Sequence, residues 1–213
     1  MGSKYYREKA RQRFKNKSFT NDSIELIALS IDIRRSTQMP FLLTKEETVE
    51  IVKPFIEECY ILLQSRTIFN NFIYAGDGVI AVAHVNNNKD IFNETFDAAI
   101  DINTYLRDYR KWVKKMYNYH FDVGIGITYD NNTYREYIKN MPNSYNNVLY
   151  IGGAISKATK LSGITPKNIK GEKCYISASK EFRKFLSEEN KRFIKLKNSK
   201  GTVYYSSTFW KED

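Results

Sequence analysis

Cysteine and histidine are almost absent from this 213-residue chain: Cys59, Cys174, His84 and His120 are all it has. Two scattered thiols exclude a disulfide framework, and with so few histidines the Cys/His ligand sets of zinc cannot be assembled. No apolar run approaches the ~20 residues that cross a bilayer, so a membrane-spanning helix is excluded. The charged start, Met1 to Arg7, is followed by no apolar segment of secretory type, and a cytoplasmic location is expected. Internal repeats and low-complexity blocks are missing as well. What is present suits a globular protein: 42% of residues are hydrophobic and 15% aromatic, too apolar for disorder. A chain of this length can bury roughly 70% of its unfolded surface in one domain.

Charge is unevenly spread. Lysine and arginine number 34 against 24 acids, a net +10, and much of the excess lies in Lys4, Arg7, Lys9, Arg11, Arg13, Lys15 and Lys17, opposed only by Glu8. Residues 1–20 are therefore read as a basic tail and 21–213 as a single domain. Such a tail is a solvated arm or, with Tyr5, Tyr6 and Phe14 interleaved, a contact for nucleic acid or a membrane surface.

Beyond the tail, periodicity gives an ordered series of elements. Ile24 to Asp32 is an apolar strand ending in an acid. Val49, Val52, Ile56, Cys59, Tyr60 and Leu63 recur at helical spacing behind a capping box, Thr44 and Glu47, with Pro54 predicting a kink or a later start. Phe72–Ala75 and Val79–Ala83 form a hairpin around Gly76-Asp77-Gly78. A second helix covers Ile91 to Met116, and Phe121 to Thr128 is a strand. The polar stretch Asp130 to Asn147 leads to a third helix from Gly153. Shorter elements follow, the last being strands Phe193–Leu196 and Thr202–Thr208. The β-α-β-β-α-β order predicts a ferredoxin-like α+β sandwich, a mostly antiparallel sheet with helices on one face.

Two acids stand out by position. Asp32 ends the first strand, and Asp77 sits in the hairpin turn beside it. Two carboxylates without nearby Cys or His suit Mg²⁺ or Mn²⁺, which take oxygen ligands and leave positions for phosphates.

These segments resemble the class III nucleotidyl cyclases. Ala28-Leu29-Ser30-Ile31-Asp32-Ile33-Arg34-Arg35-Ser36-Thr37 is similar to that family's first metal strand and phosphate loop. Phe72 to Val82 resembles the second metal hairpin, Val123 to Ile127 the fourth strand, and Ile151-Gly152-Gly153-Ala154-Ile155-Ser156-Lys157-Ala158-Thr159-Lys160-Leu161 the catalytic helix. The likeness runs from about Ile24 to Thr208. It implies that Asp32, Asp77 and the Ile33 carbonyl bind two Mg²⁺ or Mn²⁺ ions per site. The amides of Arg34, Arg35, Ser36 and Thr37 would cradle the triphosphate. In-line attack of the ribose 3′-hydroxyl on the α-phosphorus would then release pyrophosphate.

Departures from the family pattern bear on the substrate. Ser156 and Lys160 stand where the family's helix carries an Asn and an Arg. A serine has a shorter reach, and a lysine lacks the planar fork that suits phosphate. The base-reading positions are apolar, near Ile73 and Leu149, with Tyr74 and Tyr150 adjacent. Tyr74 is taken as substrate-binding, and Lys197 as the triphosphate lysine. The chain is thereby most similar to the pyrimidine cyclases of bacterial Pycsar antiphage defence. That likeness implies cyclic UMP, or second cyclic CMP, as a signal to a cyclic-nucleotide-responsive effector. It also implies an isologous homodimer with sites at the interface. An adenylate or guanylate cyclase, and a non-catalytic nucleotide- or nucleic-acid-binding domain, are the alternatives.

Overall fold

The computed structural model describes residues 8, 23–137 and 148–210. Apart from Glu8, the basic tail lies outside the described residues, as does the second half of the polar stretch before Asn147. The elements run β1 (Ser23–Ile33), α1 (Met39–Leu42), α2 (Lys45–Gln64), β2 (Asn71–Ala75), β3 (Gly78–His84), α3 (Asp90–Tyr117), β4 (Val123–Tyr137) and β5 (Val148–Ile151). After them come α4 (Gly153–Ile164), β6 (Lys167–Ile169), β7 (Glu172–Cys174), β8 (Ile176–Ser179), α5 (Lys180–Arg183), α6 (Glu188–Phe193), β9 (Leu196–Lys197) and β10 (Val203–Ser206).

The main sheet has the order β2-β3-β1-β4-β8-β10-β9, with β5 added to β4; β6 and β7 pair separately. All pairings are antiparallel except β4 with β8. The first four strands and two long helices are the expected ferredoxin-like unit, with β1 at its centre. Alternation along β1 divides the molecule. Ile27, Leu29, Ile31 and Ile33 face the large core with Ile51, Phe55 and Cys59 of α2 and Phe92 and Phe96 of α3. Leu26 and Ala28 face the other way, onto Ala154 and Ala158 of α4. The two long helices thus share one face as anticipated, whereas α4 occupies the opposite face. Gly124 and Gly126 make that possible: an added Cβ at Gly126 would lie 2.2 Å from the Ala158 carbonyl oxygen, and one at Gly124 2.0 Å from that of Ser162.

Helix α2 begins where the capping box predicts. Thr44 Oγ1 accepts from the Glu47 amide at 3.2 Å, and Glu47 Oε2 accepts from the Thr44 amide at 2.8 Å. Pro54 is inside the helix, and Tyr109 of α3 donates its hydroxyl to the Ile51 carbonyl nearby, at 2.7 Å. That contact braces the turn in which proline removes a main-chain donor. Near the C-terminus the expected strand Phe193–Leu196 is instead the end of α6 followed by the two-residue β9. The Ser187 hydroxyl caps α6 by accepting from the Asn190 amide at 3.1 Å, so local capping outweighs the apolar run there.

Candidate functional site

Register brings the two acids to one end of the sheet. Asp32 stands opposite Gly78 on β3 and Gly124 on β4. A Cβ on Gly78 would come within 3.3 Å of Asp32 Oδ1 and 2.7 Å of the Ile31 carbonyl oxygen, so glycine there leaves room for the carboxylate. Asp77 follows Gly76, whose φ of +64° turns the chain between β2 and β3. The Asp32 side chain is about one-third exposed, at 32%. Burial, then the negative charge of Asp77, push its pKa above the ordinary carboxylate value, and Arg34 pulls it part of the way back. Arg34 Nη1 is 4.0 Å from Asp32 Oδ2, an ion pair without a close hydrogen bond. Asp77 Oδ2 is buried with no hydrogen-bond partner among the described residues.

Two acids close enough to repel, one with an oxygen already stripped of water, leave a deficit of positive charge. A divalent cation that prefers oxygen would supply it. Among the described residues there is no group of three or more His, Cys, Asp or Glu placed to hold a metal. The protein's donor set is therefore two carboxylates plus main-chain oxygen. It fits Mg²⁺ or Mn²⁺ with positions left for ligand or water, and does not fit a closed zinc site. The Ile33 side chain is in the core, 2% exposed, so only its carbonyl is available to that set.

The loop after β1 is partly committed to the fold. The Arg34 amide donates to the Asp122 carbonyl at 2.8 Å, which removes it from the expected four-amide cradle. Arg35 is left-handed, with φ 58° and ψ 30°, and a 3-10 turn spans Ser36–Gln38. A left-handed residue followed by a tight turn gathers successive N–H groups into an anion-binding concavity. Its candidates are Arg35, Ser36 and Thr37. Arg34, Arg35 and Gln38 also line a cleft of about 550 Å³ with Asn118, Tyr119 and His120.

Ser156 and Lys160 lie on the exposed side of α4. The helix is pinned by its buried side: Ser30 Oγ is 3.1 Å from Ser162 Oγ, and Thr128 donates to the Ala154 carbonyl at 2.7 Å. At its N-terminus the Gly153 amide donates to Asp130 Oδ2 at 2.6 Å. Among the described residues, no hydrogen bond or ion pair joins Ser156 or Lys160 to Asp32 or Asp77. Lys197 is farther off, on edge strand β9 and paired with Tyr204. Four strand steps separate β9 from β1, about 19 Å at ~4.8 Å per step. One chain alone brings together Asp32, Asp77 and the Arg34–Thr37 loop, with Lys197 well apart from them.

The base-side expectation needs correction at Tyr74. Its ring lies 6.0 Å from that of Tyr60 on α2 and is 57% exposed, which puts it on the face away from α4. Ile73 is the residue on the α4 face, packed with Tyr150 and Ile155. The Tyr150 hydroxyl is 3.2 Å from His84 Nε2, and Asn71 Nδ2 donates to it at 3.5 Å. Burial, and then Arg135, lower the pKa of His84. Sequence reading missed this trio, although the two-residue alternation linking Asn71 to Ile73 carried the signal.

No protein-family model matches the chain, and no curated protein does. Solved structures do match its fold. A bacterial light-regulated adenylyl cyclase superposes with a TM-score of 0.63 at 20% identity, covering 78% of this chain and 81% of that one. The adenylyl cyclase CyaB from P. aeruginosa gives 0.69 at 15% identity, covering 90% and 98%. The guanylate cyclase domain of RhGC from Catenaria anguillulae, in complex with GTP, gives 0.59 at 10% identity, covering 88% and 98%. The chain has the fold of nucleotide cyclase catalytic domains.

Proposed function

We propose that this chain is a nucleotidyl cyclase that converts a pyrimidine nucleoside triphosphate, UTP ahead of CTP, to its 3′,5′-cyclic monophosphate and pyrophosphate. The observation that carries the reading is the acid pair on this fold: Asp32 raised in pKa by burial and then by Asp77, and a buried Asp77 oxygen without a partner among the described residues. Asp32, Asp77 and the Ile33 carbonyl would hold two Mg²⁺ or Mn²⁺ ions. Bound there, such ions acidify the ribose 3′-hydroxyl and neutralise the triphosphate. The turn at Arg35–Thr37 orients the β- and γ-phosphates, and Arg34 balances charge beside Asp32. Positioning and electrostatics account for most of the expected rate gain.

Ser156, Lys160 and Lys197 serve the site of a second protomer. The exposure of Ser156 and Lys160, and the distance of Lys197 from the acids, support an isologous homodimer in which the partner's α4 closes the site. Lys160 then stabilises charge on the transferred phosphoryl group, and Ser156 orients the ribose. On the face it shares with Tyr150, Ile73 offers a purine no hydrogen-bond partner, and each polar base edge left unsatisfied costs about 1–3 kcal/mol. Tyr150 supplies the hydroxyl on that face. Following the Pycsar likeness, the cyclic product is an antiphage second messenger read by a cyclic-nucleotide-responsive effector. The cytoplasm is the compartment that this role requires; no described helix is long and apolar enough to cross a membrane.

A purine reading is favoured by the neighbours, which are adenylyl and guanylyl cyclases. Competition decides between the two. The four NTPs are supplied at equal concentration with Mn²⁺, and the cyclic products are counted by mass spectrometry. Cyclic UMP or CMP in excess is the expected result. Dominant cyclic AMP or GMP overturns the pyrimidine reading and keeps the cyclase, while no cyclic product from any of them overturns both.

A further inference from the structure

Away from the acid pair, α3 carries a second charged feature. Asn103, Arg107, Arg110, Lys111 and Lys114 line one side of a groove of about 440 Å³, and Lys173, Tyr175 and Phe209 line the other. The volume is in the range of small-molecule sites. Some of this charge is balanced locally. Arg107 and Lys111 pair with Asp108 at 3.0 and 2.7 Å, and Lys173 pairs with Asp122 at 3.0 Å. Lys114 is in the last turn of α3, where a cation complements the helix macrodipole.

Arg110 is not explained that way. Its guanidinium stacks 3.9 Å over the Tyr175 ring, and its Nη1 is buried with no hydrogen-bond partner among the described residues. Asn103, two helical turns away on the same wall and 1% exposed, is in the same condition. Its Nδ2 donates to the Thr208 carbonyl at 2.7 Å, while its Oδ1 is buried and unpartnered. A buried donor and a buried acceptor left open on one groove wall are rare in a folded protein. Folding has already removed their water, so a ligand that bonds to them gains the interaction without that opposing term.

We propose that this groove is a second binding site, for a phosphorylated small molecule. Its phosphate would lie among Arg110, Lys111 and Lys114, and an N–H or O–H of the ligand would meet Asn103 Oδ1. Arginine's fork of donors suits the oxygens of a phosphate, and Tyr175 and Phe209 offer flat apolar walls for a ring. The site is independent of the cyclase reading. It uses neither acid of the metal pair, and the groove remains if the chain proves to have no cyclase activity.

The test is calorimetric titration of full-length protein carrying Asp77→Asn, in EDTA, so that the metal-dependent site is silent. The probes are UMP and inorganic pyrophosphate. Saturable binding of either one is expected, weakened at least about tenfold by Arg110→Gln and less so, in a salt-sensitive way, by Lys114→Glu. Lys114 is exposed, so that variant tests the site even if Arg110→Gln destabilises the fold. A preference for UMP assigns the ligand to nucleotides, and a preference for pyrophosphate to polyphosphates; both support the site. No saturable binding of either probe overturns it. So does binding that both variants leave unchanged, or a groove that takes only a single-stranded oligonucleotide.

Discussion

Asp108 on the outer face of α3 and the pair Asp32–Asp77 at the sheet end are acids of the same kind held in opposite ways. Asp108 accepts from Arg107 Nη2 at 3.0 Å and Lys111 Nζ at 2.7 Å. Those hydrogen bonds hold its carboxyl down at about 2. Asp32 has a basic neighbour too, but at 4.0 Å and outweighed by burial and by Asp77. Helical neighbours one and three residues away satisfy a surface acid at little cost. At the sheet end Asp32 is only partly compensated by Arg34, and Asp77 keeps a buried oxygen without a hydrogen-bond partner among the described residues. That contrast is the ground for the proposal that the sheet-end acids are reserved for a cation from outside the chain.

The largest effect should follow from removing the reserved acids. Asp32→Ala and Asp77→Ala are each expected to lower cyclic nucleotide formation by at least about 100-fold, with size-exclusion chromatography still reporting a folded dimer. Neither side chain fills the core, so no cavity results. Substantial turnover by either variant would collapse the contrast with Asp108 and end the two-metal reading.

Complementation sharpens the comparison next, because it asks whether the reserved acids are served by another chain. Mixing inactive Asp77→Ala with inactive Lys160→Ala should restore about a quarter of wild-type activity, since half the dimers are mixed and each has one intact site. If Lys160 acted within its own chain, the mixture would stay inactive.

Much of this was legible in the residues because strand ends and glycine turns are written locally. Asp32 closes an apolar run, Asp77 sits between two glycines, and the Thr44–Glu47 capping box announces α2. Properties that depend on which face a residue takes were harder to read. Tyr74 faces away from α4 while its neighbour Ile73 faces it, and a slip of one in a strand exchanges the faces. The placement of α4 opposite the long helices depends on Gly124 and Gly126, whose missing side chains admit a helix backbone. Nothing in a β-α-β-β-α-β pattern reports that. Lys197 and Tyr204 came close in sequence and are paired in the sheet, yet the distance from β9 to β1 appears only once the strand order is known. The orphaned atoms of Arg110 and Asn103 had no sequence signal at all, because an unsatisfied partner is a property of packing.

A third measurement uses stability in place of activity. Mn²⁺ bound only by the folded acid pair should raise the unfolding free energy by about 2.7 kcal/mol at a hundredfold excess over Kd. The wild type is expected to gain this in a denaturant titration. Asp32→Ala should gain little of it, and Asp108→Asn should gain all of it. Equal stabilisation of the two variants would mean that the ion binds elsewhere, and the distinction between the acids would fail.

The smallest effect is in the pH dependence of the metal-free protein, where the two acids should act with opposite sign. Asp32 has a raised folded pKa, so its contribution to stability is fully present below the unfolded value of about 3.9. It is lost as pH rises through the raised folded value. Asp108, held at about 2, contributes stability above about 3.9, and that contribution is lost as pH falls through about 2. Asp32→Asn should therefore flatten the fall in stability on the alkaline side of pH 4. Asp108→Asn should flatten the fall on the acid side, by an amount that added salt reduces because its pairs are exposed. Thermal melts between pH 2 and pH 7 at two ionic strengths would separate the two. A change of the same sign in both variants would show that the sheet-end acid is compensated after all, and the case for a resident cation would lose its electrostatic ground.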